Sequence, residues 1–523
     1  MCPYKGEHSG TSQGQRLRGY QGTCPWTFNG GAGDGPGHVP FSVVPNANED
    51  NPSALSQEQH HAVSEMLRVT PVADELGRRF QEAGFSLALV GGPVRDALLG
   101  RLGNDLDFTT DARPEDVLKI VRPWADAVWE VGIAFGTVGA QKDGYQIEVT
   151  TYRSEAYDRT SRKPEVSYGD SIEEDLVRRD FTVNAMAVAF PEREFIDPYG
   201  GLADLAARVL RTPGTPEASF SDDPLRMMRA ARFAAQLDFE VAPEVVAAMT
   251  EMSGRIEIVS AERVRDELNK LILSAHPRKG LALLVDTGLA DHVLPELPAL
   301  RLESDEHHRH KDVYEHTLIV LEQAIELEEN GPDLVLRLAA LLHDIGKPRT
   351  RRFENDGRVS FHHHEVVGAK MTKKRMLALK YSNDLVKDVS RLVELHLRFH
   401  GYGTGEWTDS AVRRYVRDAG PLLDRLHKLT RSDCTTRNKR RAAALSRAYD
   451  GLEERIAQLQ EQEELDSIRP DLDGNQIMEI LGVTPGPVIG RAYKFLLELR
   501  LENGPMEHEA AVAALKEWWA SES

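Results

Sequence analysis

The sequence predicts an α+β chain: a small α/β head followed by an all-helical neck, body and tail. Three observations carry this. Over residues 55–201, apolar segments of strand length alternate with helical periods. Beyond Asp197-Pro198-Tyr199-Gly200-Gly201 the spacing turns helical and stays so, and the Pro-Gly-Gly punctuation suits a domain junction. At 523 residues the chain exceeds one hydrophobic core, so several domains are expected.

Residues 1–54 are rich in Gly, Pro, Asn, Ser and Gln without periodicity, and are expected to be a disordered extension. An amphipathic helix over 72–83 leads into a strand at 86–90. Further strands are expected near 105–109, 134–141 and 146–152, and the polar stretch 153–169 reads as a loop. Helices dominate from 202, broken by loops near 295–305, 355–357 and 401–407. The charged segment 452–465 reads as a solvated amphipathic helix.

Composition narrows the class. Hydrophobic residues make up 41% and charged residues 28%, an ordinary soluble balance, with no apolar run of membrane-spanning length. No secretory signal is visible. Three cysteines, Cys2, Cys24 and Cys434, argue against a disulfide framework and for a cytoplasmic home. A net charge of −19 opposes general affinity for nucleic acid. Any RNA contact must therefore use local clusters: Arg178-Arg179, then Arg226, Arg229 and Arg232, then Arg437–Arg441. Binding through such a patch is expected to be strongly salt-dependent.

The most informative stretch is Leu89-Val90-Gly91-Gly92-Pro93-Val94-Arg95-Asp96, followed by Asn104-Asp105-Leu106-Asp107. Gly91 and Gly92 let backbone N–H groups approach a polyphosphate. The helix after them points its positive end at the same anion, and Arg95 adds a forked donor. Alternate residues of a strand share a face, so Asp105 and Asp107 converge. Two hard oxygen ligands beside a phosphate cradle make a Mg²⁺ site.

Gly-Gly, Arg-Asp, Leu-Leu-Gly and Asn-Asp-Leu-Asp-Phe in this order resemble the head of the nucleotidyltransferase superfamily. More narrowly, they resemble the class II CCA-adding tRNA nucleotidyltransferase and bacterial poly(A) polymerase family. The resemblance implies a third active-site carboxylate, Glu148, on the strand Gln146–Thr151. In Arg178–Ala185 it implies that Arg179 contacts the nucleotide, with Arg178, Asp180 and Asn184 shaping the ribose side; the arginine pair is expected at a helix N-terminus. It assigns a hinge to Asp197 and Gly200-Gly201.

Asp222-Asp223-Pro224-Leu225-Arg226 reads as a capped helix start with Pro224 in the first turn, and Asp223, Arg226 and Arg229 share one face. The bland reading is an Asp–Arg ion pair. The resemblance makes Asp223 and Arg226 a protein template for A and C, with Arg229 and Arg232 at the triphosphate. The family carries Glu-Asp where this chain has Asp222-Asp223. Ala261–Leu268 resembles a helical turn that braces the template.

Leu338–Lys347 ends in His343-Asp344-Ile345-Gly346-Lys347. With His316 earlier and Asp433 later, it resembles the HD phosphohydrolase superfamily and implies a divalent transition metal on His316, His343, Asp344 and Asp433. His362, His363, His364 and His396 lie nearby in sequence, and His307, His308 and His310 read as surface residues. Pro485–Gly490 is a glycine turn entering a helix, either a simple turn or an RNA phosphate contact in a tRNA-binding tail.

The expected domains are 1–54 extension, 55–201 nucleotidyltransferase head, 202–300 neck, 301–440 HD-type body and 441–523 tail. The implied activity is CCA addition to the tRNA 3′ end from CTP and ATP by two-metal transfer, with neither DNA nor a membrane as partner. The alternatives are a poly(A) polymerase or A-only enzyme, and an HD phosphohydrolase.

Overall fold

The computed structural model describes residues 26–27, 38–40, 44–45, 57–153, 169, 171–302, 312–355, 359–401, 407–435, 439–463 and 469–522. Most of residues 1–54 lie outside these; within them Trp26–Thr27, His38–Pro40 and Val44–Pro45 are short strands. Most of 153–169, residues 303–305, 356–357 and 402–406 of the three expected loops, His307, His308, His310 and Arg437 also lie outside the described residues, while Pro298–Leu300 of the first loop forms a short helical turn. Among the described residues, no helix is long and apolar enough to cross a membrane. The chain divides into two compact units, Met1–Gly214 and Thr215–Ser523.

The first unit opens with α1 (Gln57–Glu82), which starts earlier than expected and continues through Pro71. Proline normally ends a helix. Here Val69, Val72, Ala73, Leu76 and Phe80 form one buried stripe on both sides of it. Then follow β1 (Leu87–Val90), α2 (Gly92–Leu98), β2 (Asp105–Thr110), α3 (Pro114–Val121), β3 (Ala127–Trp129), β4 (Thr137–Lys142), β5 (Tyr145–Thr151), α4 (Ile172–Val177), β6 (Ala187–Phe190), β7 (Glu194–Ile196) and α5 (Gly201–Ala207). The sheet order is β7-β6-β1-β2-β5-β4-β3, with His38–Pro40 beyond β7. Only β2 and β5 among these neighbours run parallel.

β3, β6 and β7 were not expected. They are three or four residues long, and β6 is apolar throughout, so no period distinguishes it from a helix segment. The unit extends past α5 because Thr182 holds the segment down. Its N–H donates to Arg211 O at 2.7 Å and its hydroxyl donates to Asp204 at 2.6 Å.

The second unit is helical: α6 (Pro216–Asp222), α7 (Leu225–Leu237), α8 (Pro243–Met252), α9 (Ala261–Ile272), α10 (Pro277–Asp286), α11 (Leu289–Val293), α12 (Val313–Glu326), α13 (Leu334–Leu342), α14 (Lys347–Thr350), α15 (His364–Ala378), α16 (Asn383–Leu395), α17 (Asp409–Ala419), α18 (Leu423–Ser432), α19 (Lys439–Glu463), α20 (Gly474–Leu481), α21 (Pro487–Asn503) and α22 (His508–Glu522). α7 packs on α9 and α10, while α13 packs on α12, α16 and α18. The expected solvated helix at 452–465 belongs to α19, and its apolar stripe is covered. Leu452, Ile456 and Leu459 are buried where α19 meets α17 and α18. The last three helices share a small core of Leu472, Ile477, Ala492, Leu496, Ala511 and Leu515. Asp473 starts α20 with a reciprocal capping box to Gln476.

Candidate active site and metal centre

β2 sends Leu106 and Phe108 into the core and leaves Asp105 and Asp107 exposed on the other face. β5 does the same with Ile147 and Val149 against Glu148. The parallel register sets Glu148 directly beside Asp107. Three carboxylates from two adjacent strands therefore share one face, which no local window of sequence could determine. Asp107 and Glu148 line a cleft of about 280 Å³ together with Thr150, Asp175, Arg178 and Arg179.

Desolvation by the cleft walls raises the Asp107 pKa to about 6, with Arg179 opposing and Glu148 and Asp105 adding to the rise. Asp107 is exposed as a residue, so the energetic consequence is reduced by screening. The sign follows from a raised acid pKa. Below the ordinary carboxylate range both folded and unfolded states are protonated and nothing is lost. Above about 6 both states are charged, and only in the folded state is that charge desolvated and crowded by Glu148 and Asp105. Asp107→Asn should therefore stabilise the metal-free protein by about 1 kcal/mol or less at pH 8 and leave it unchanged near pH 3. Thermal melts in chelator check this; equal Tm values at pH 8 would contradict it.

Gly91 has φ +76°, and a Cβ there would lie 2.7 Å from an Arg179 guanidinium nitrogen. The first glycine of the pair thus admits Arg179 as well as any phosphate. Arg179 donates to Asp175 at 3.0 Å. Gly91→Ala should displace Arg179, cost about 1–2 kcal/mol in stability and raise KM for nucleotide more than it lowers kcat. Denaturant melts and steady-state kinetics read the two effects separately.

Gly92 begins α2, which has no side-chain cap. Arg95, expected at phosphate, is buried with its fork on Asp96 at 3.0 and 2.8 Å and its other nitrogen on Asn184 at 2.5 Å. Asn184 in turn donates to Asp180 at 2.9 Å. Arg95, Asn184 and Asp180 form one buried network behind the glycine pair. Arg178 and Arg179 follow the C-terminus of α4, not a helix N-terminus, an end that favours cations.

The Asp197 carboxylate accepts from the N–H groups of Gly201 and Leu202 at 2.6 and 2.9 Å and so starts α5. Gly201 is required by close approach, since a Cβ would lie 2.2 Å from Thr182 O.

In the second unit Asp223 accepts from Leu225 N at 3.1 Å and pairs with Arg263 at 2.6 Å. Arg226 donates to the Ser219 hydroxyl at 2.9 Å. Asp223 and Arg226 are thus each held by a different neighbour. Arg263 lies in the segment expected to brace the template. The same helix, α9, supplies Glu267, buried and 2.7 Å from Arg232. Arg232 also stacks on Phe233, with its guanidinium 4.1 Å from the ring centre. Arg229 is 3.9 Å from Glu267. Arg232 is committed within its unit, and reaching a phosphate would require breaking that pair.

The second centre draws on five helix ends or faces. His316 comes from α12, His343 and Asp344 follow α13, His364 begins α15, His396 follows α16 and Asp433 follows α18. His316 Nε2 is 2.9 Å from Asp433 and 3.5 Å from Asp344; His343 Nε2 is 3.2 Å from Asp344 and 3.8 Å from Asp433. The four expected residues thus come together. Two histidines noted only as neighbours in sequence join them. His364 Nε2 is 3.2 Å from Asp344 Oδ1, and the His396 ring is 5.3 Å from those of both His343 and His364. Gly346 explains the approach, because a Cβ there would lie 2.2 Å from His364 O. Burial pushes the His396 pKa down to about 3, keeping the imidazole neutral. Neutral imidazoles and carboxylates are the donor set of a divalent transition metal.

Family models match three segments: the poly A polymerase head domain over 87–211, the probable RNA and SrmB-binding site of polymerase A over 238–300, and the HD domain over 313–438. The chain belongs to the tRNA nucleotidyltransferase and bacterial poly(A) polymerase family, and is an RNA nucleotidyltransferase with an HD domain. It is 35% identical to the A-adding tRNA nucleotidyltransferase of Deinococcus radiodurans across 82% of this chain and 95% of that one. It is 30% identical to the CCA-adding enzyme of Streptococcus suis across 85% of this chain and 94% of that one. In fold it resembles the Bacillus stearothermophilus CCA-adding enzyme in complex with CTP, with TM-score 0.63 and 24% identity over 88% of this chain and 98% of that one.

Proposed function

We propose that the chain adds CCA to tRNA 3′ ends from CTP and ATP with release of pyrophosphate, in the cytoplasm. The observation that carries the reading is the parallel register that sets Glu148 beside Asp107, with Asp105 on the same face. Three crowded carboxylates, one with its pKa pushed up to about 6, suit a divalent cation. Asp105 and Asp107 would hold Mg²⁺. When bound, it lowers the pKa of the RNA 3′-hydroxyl and neutralises charge on the α-phosphate.

The chain's own residues do the rest. Glu148 orients the attacking hydroxyl and takes its proton. Arg179, admitted by Gly91, holds the nucleotide. Asp223 accepts from the exocyclic amine that adenine and cytosine share, and Arg226 donates to a ring acceptor. Guanine and uracil present a carbonyl where the amine is needed, leaving Asp223 mispaired.

A-only addition is the second reading, favoured by the name of the Deinococcus radiodurans relative. The test is extension of tRNA lacking its CCA end, and of tRNA ending in CC, with Mg²⁺ and CTP, ATP or both. A completed CCA on the first substrate supports the proposal. A single A added only to the second makes it an A-adding enzyme. Long A tails that ignore CTP make it a poly(A) polymerase.

A further inference from the structure

We propose that the HD-type body takes part in base selection by setting the position of α9, with Tyr381 as the positioning residue on its side; this rests on the reading of Asp223 and Arg226 as the base template.

α9 carries two rows of contacts. In the first, Arg263 pairs with Asp223 at 2.6 Å and Glu267, one turn on, pairs with Arg232 at 2.7 Å. The second row is Arg265, Asn269 and Ile272, spaced i, i+4, i+7. At about 100° per residue it lies on the opposite side of the helix from Arg263 and Glu267. Every member of this row meets the body. Arg265 donates to Lys380 O at 2.6 Å, and the Tyr381 hydroxyl donates to Asn269 Oδ1 at 2.6 Å. Both partners lie in the turn between α15 and α16. From α13, one Arg337 nitrogen donates to Ile272 O and Ser274 O, each at 2.8 Å.

These anchors are firm. Arg337 is buried, and its fork closes on Glu328 at 2.8 and 2.6 Å. A guanidinium on the last carbonyls of a helix satisfies groups that have no intrahelical partner and complements the dipole. Tyr381 is buried too, so its hydroxyl depends on Asn269. A helix gripped along one side cannot turn or slide without carrying the other side with it. The body therefore sets where Arg263 stands, and Arg263 holds the Asp223 carboxylate.

The test uses full-length protein and tRNA ending in CC, where A is the next nucleotide whether the enzyme adds CCA or A alone. ATP and GTP compete, and the preference between them is read from kcat/KM. Tyr381→Phe removes one oxygen and keeps the ring in place. It should lower the preference for ATP by about three- to tenfold, with the rate for GTP nearly unchanged. Asn269→Ala removes the same bond from α9, so it should give the same shift, and the double variant no more. In an Asp223→Ala background Tyr381→Phe should change nothing, because no carboxylate is left to position. Thermal melts show that each variant folds. If Asp223→Ala abolishes the preference but Tyr381→Phe leaves it intact, or lowers both nucleotides equally, the proposal is overturned and the template reading stands. A preference untouched by Asp223→Ala overturns both.

Discussion

Asp105→Asn is expected to slow nucleotide addition by about 10³-fold, equivalent to about 4 kcal/mol of transition-state stabilisation, with Tm nearly unchanged. The side chain is exposed on a strand whose packing comes from Leu106 and Phe108, so its replacement removes charge and not core. kcat should fall far more than nucleotide affinity changes, because the carboxylate acts where charge develops in the reaction. Single-turnover extension with equilibrium nucleotide binding separates the two. A loss confined to KM would mean that Asp105 only binds substrate, and the transfer mechanism would need another centre.

Asp223→Ala is expected to lower kcat/KM for CTP and ATP by about 10–100-fold, near 1–3 kcal/mol, while hardly changing the poor rates with GTP and UTP. Discrimination shrinks because the favoured bases lose their partner. Arg263→Ala should act in the same direction and more weakly. Arg263 does not read a base; it holds the Asp223 carboxylate at 2.6 Å. Arg226→Ala tests the other half of the pair and leaves the Asp223–Arg263 contact in place. Competition among the four nucleotides on one tRNA end measures all three variants. Equal losses for every nucleotide would assign Asp223 to folding of the α7 start, where it accepts from Leu225 N.

Much of the head was legible because its signals are local. A strand places Asp105 and Asp107 on one face through its own pleat. A glycine pair before a helix declares its backbone need at once, and a Pro-Gly-Gly turn marks the end of the sheet. The HD string, with His316 before it and Asp433 after it, resembled the HD superfamily, and the fold brings all four residues together. Less legible were β3, β6 and β7, which are too short or too uniformly apolar to show a period. α19 was misjudged because a charged helix with an apolar stripe looks the same whether or not another helix covers the stripe.

The arginines show the limit most clearly. Arg95, Arg179, Arg226 and Arg232 read alike as phosphate or base contacts. The structure divides them by partner: Asp96 and Asn184 hold Arg95, Asp175 holds Arg179, Ser219 holds Arg226, and Glu267 holds Arg232. A guanidinium pairs with whichever carboxylate or carbonyl the fold delivers, and those partners lie up to 89 positions away.

By itself the sequence determined the local elements: the carboxylate strand, the glycine turn, a helix beginning beside Pro224 and the HD string, though Pro224 takes the cap position of α7, so the expected side-chain cap is missing there. Each depends on backbone periods and residue types within a dozen positions. Tertiary structure alone decided that Glu148 stands beside Asp107, that Arg263 is the residue of its helix that reaches Asp223, and that His364 and His396 close around Asp344. Strand register and helix docking are set by contacts between distant segments, and these leave no periodic trace in the chain.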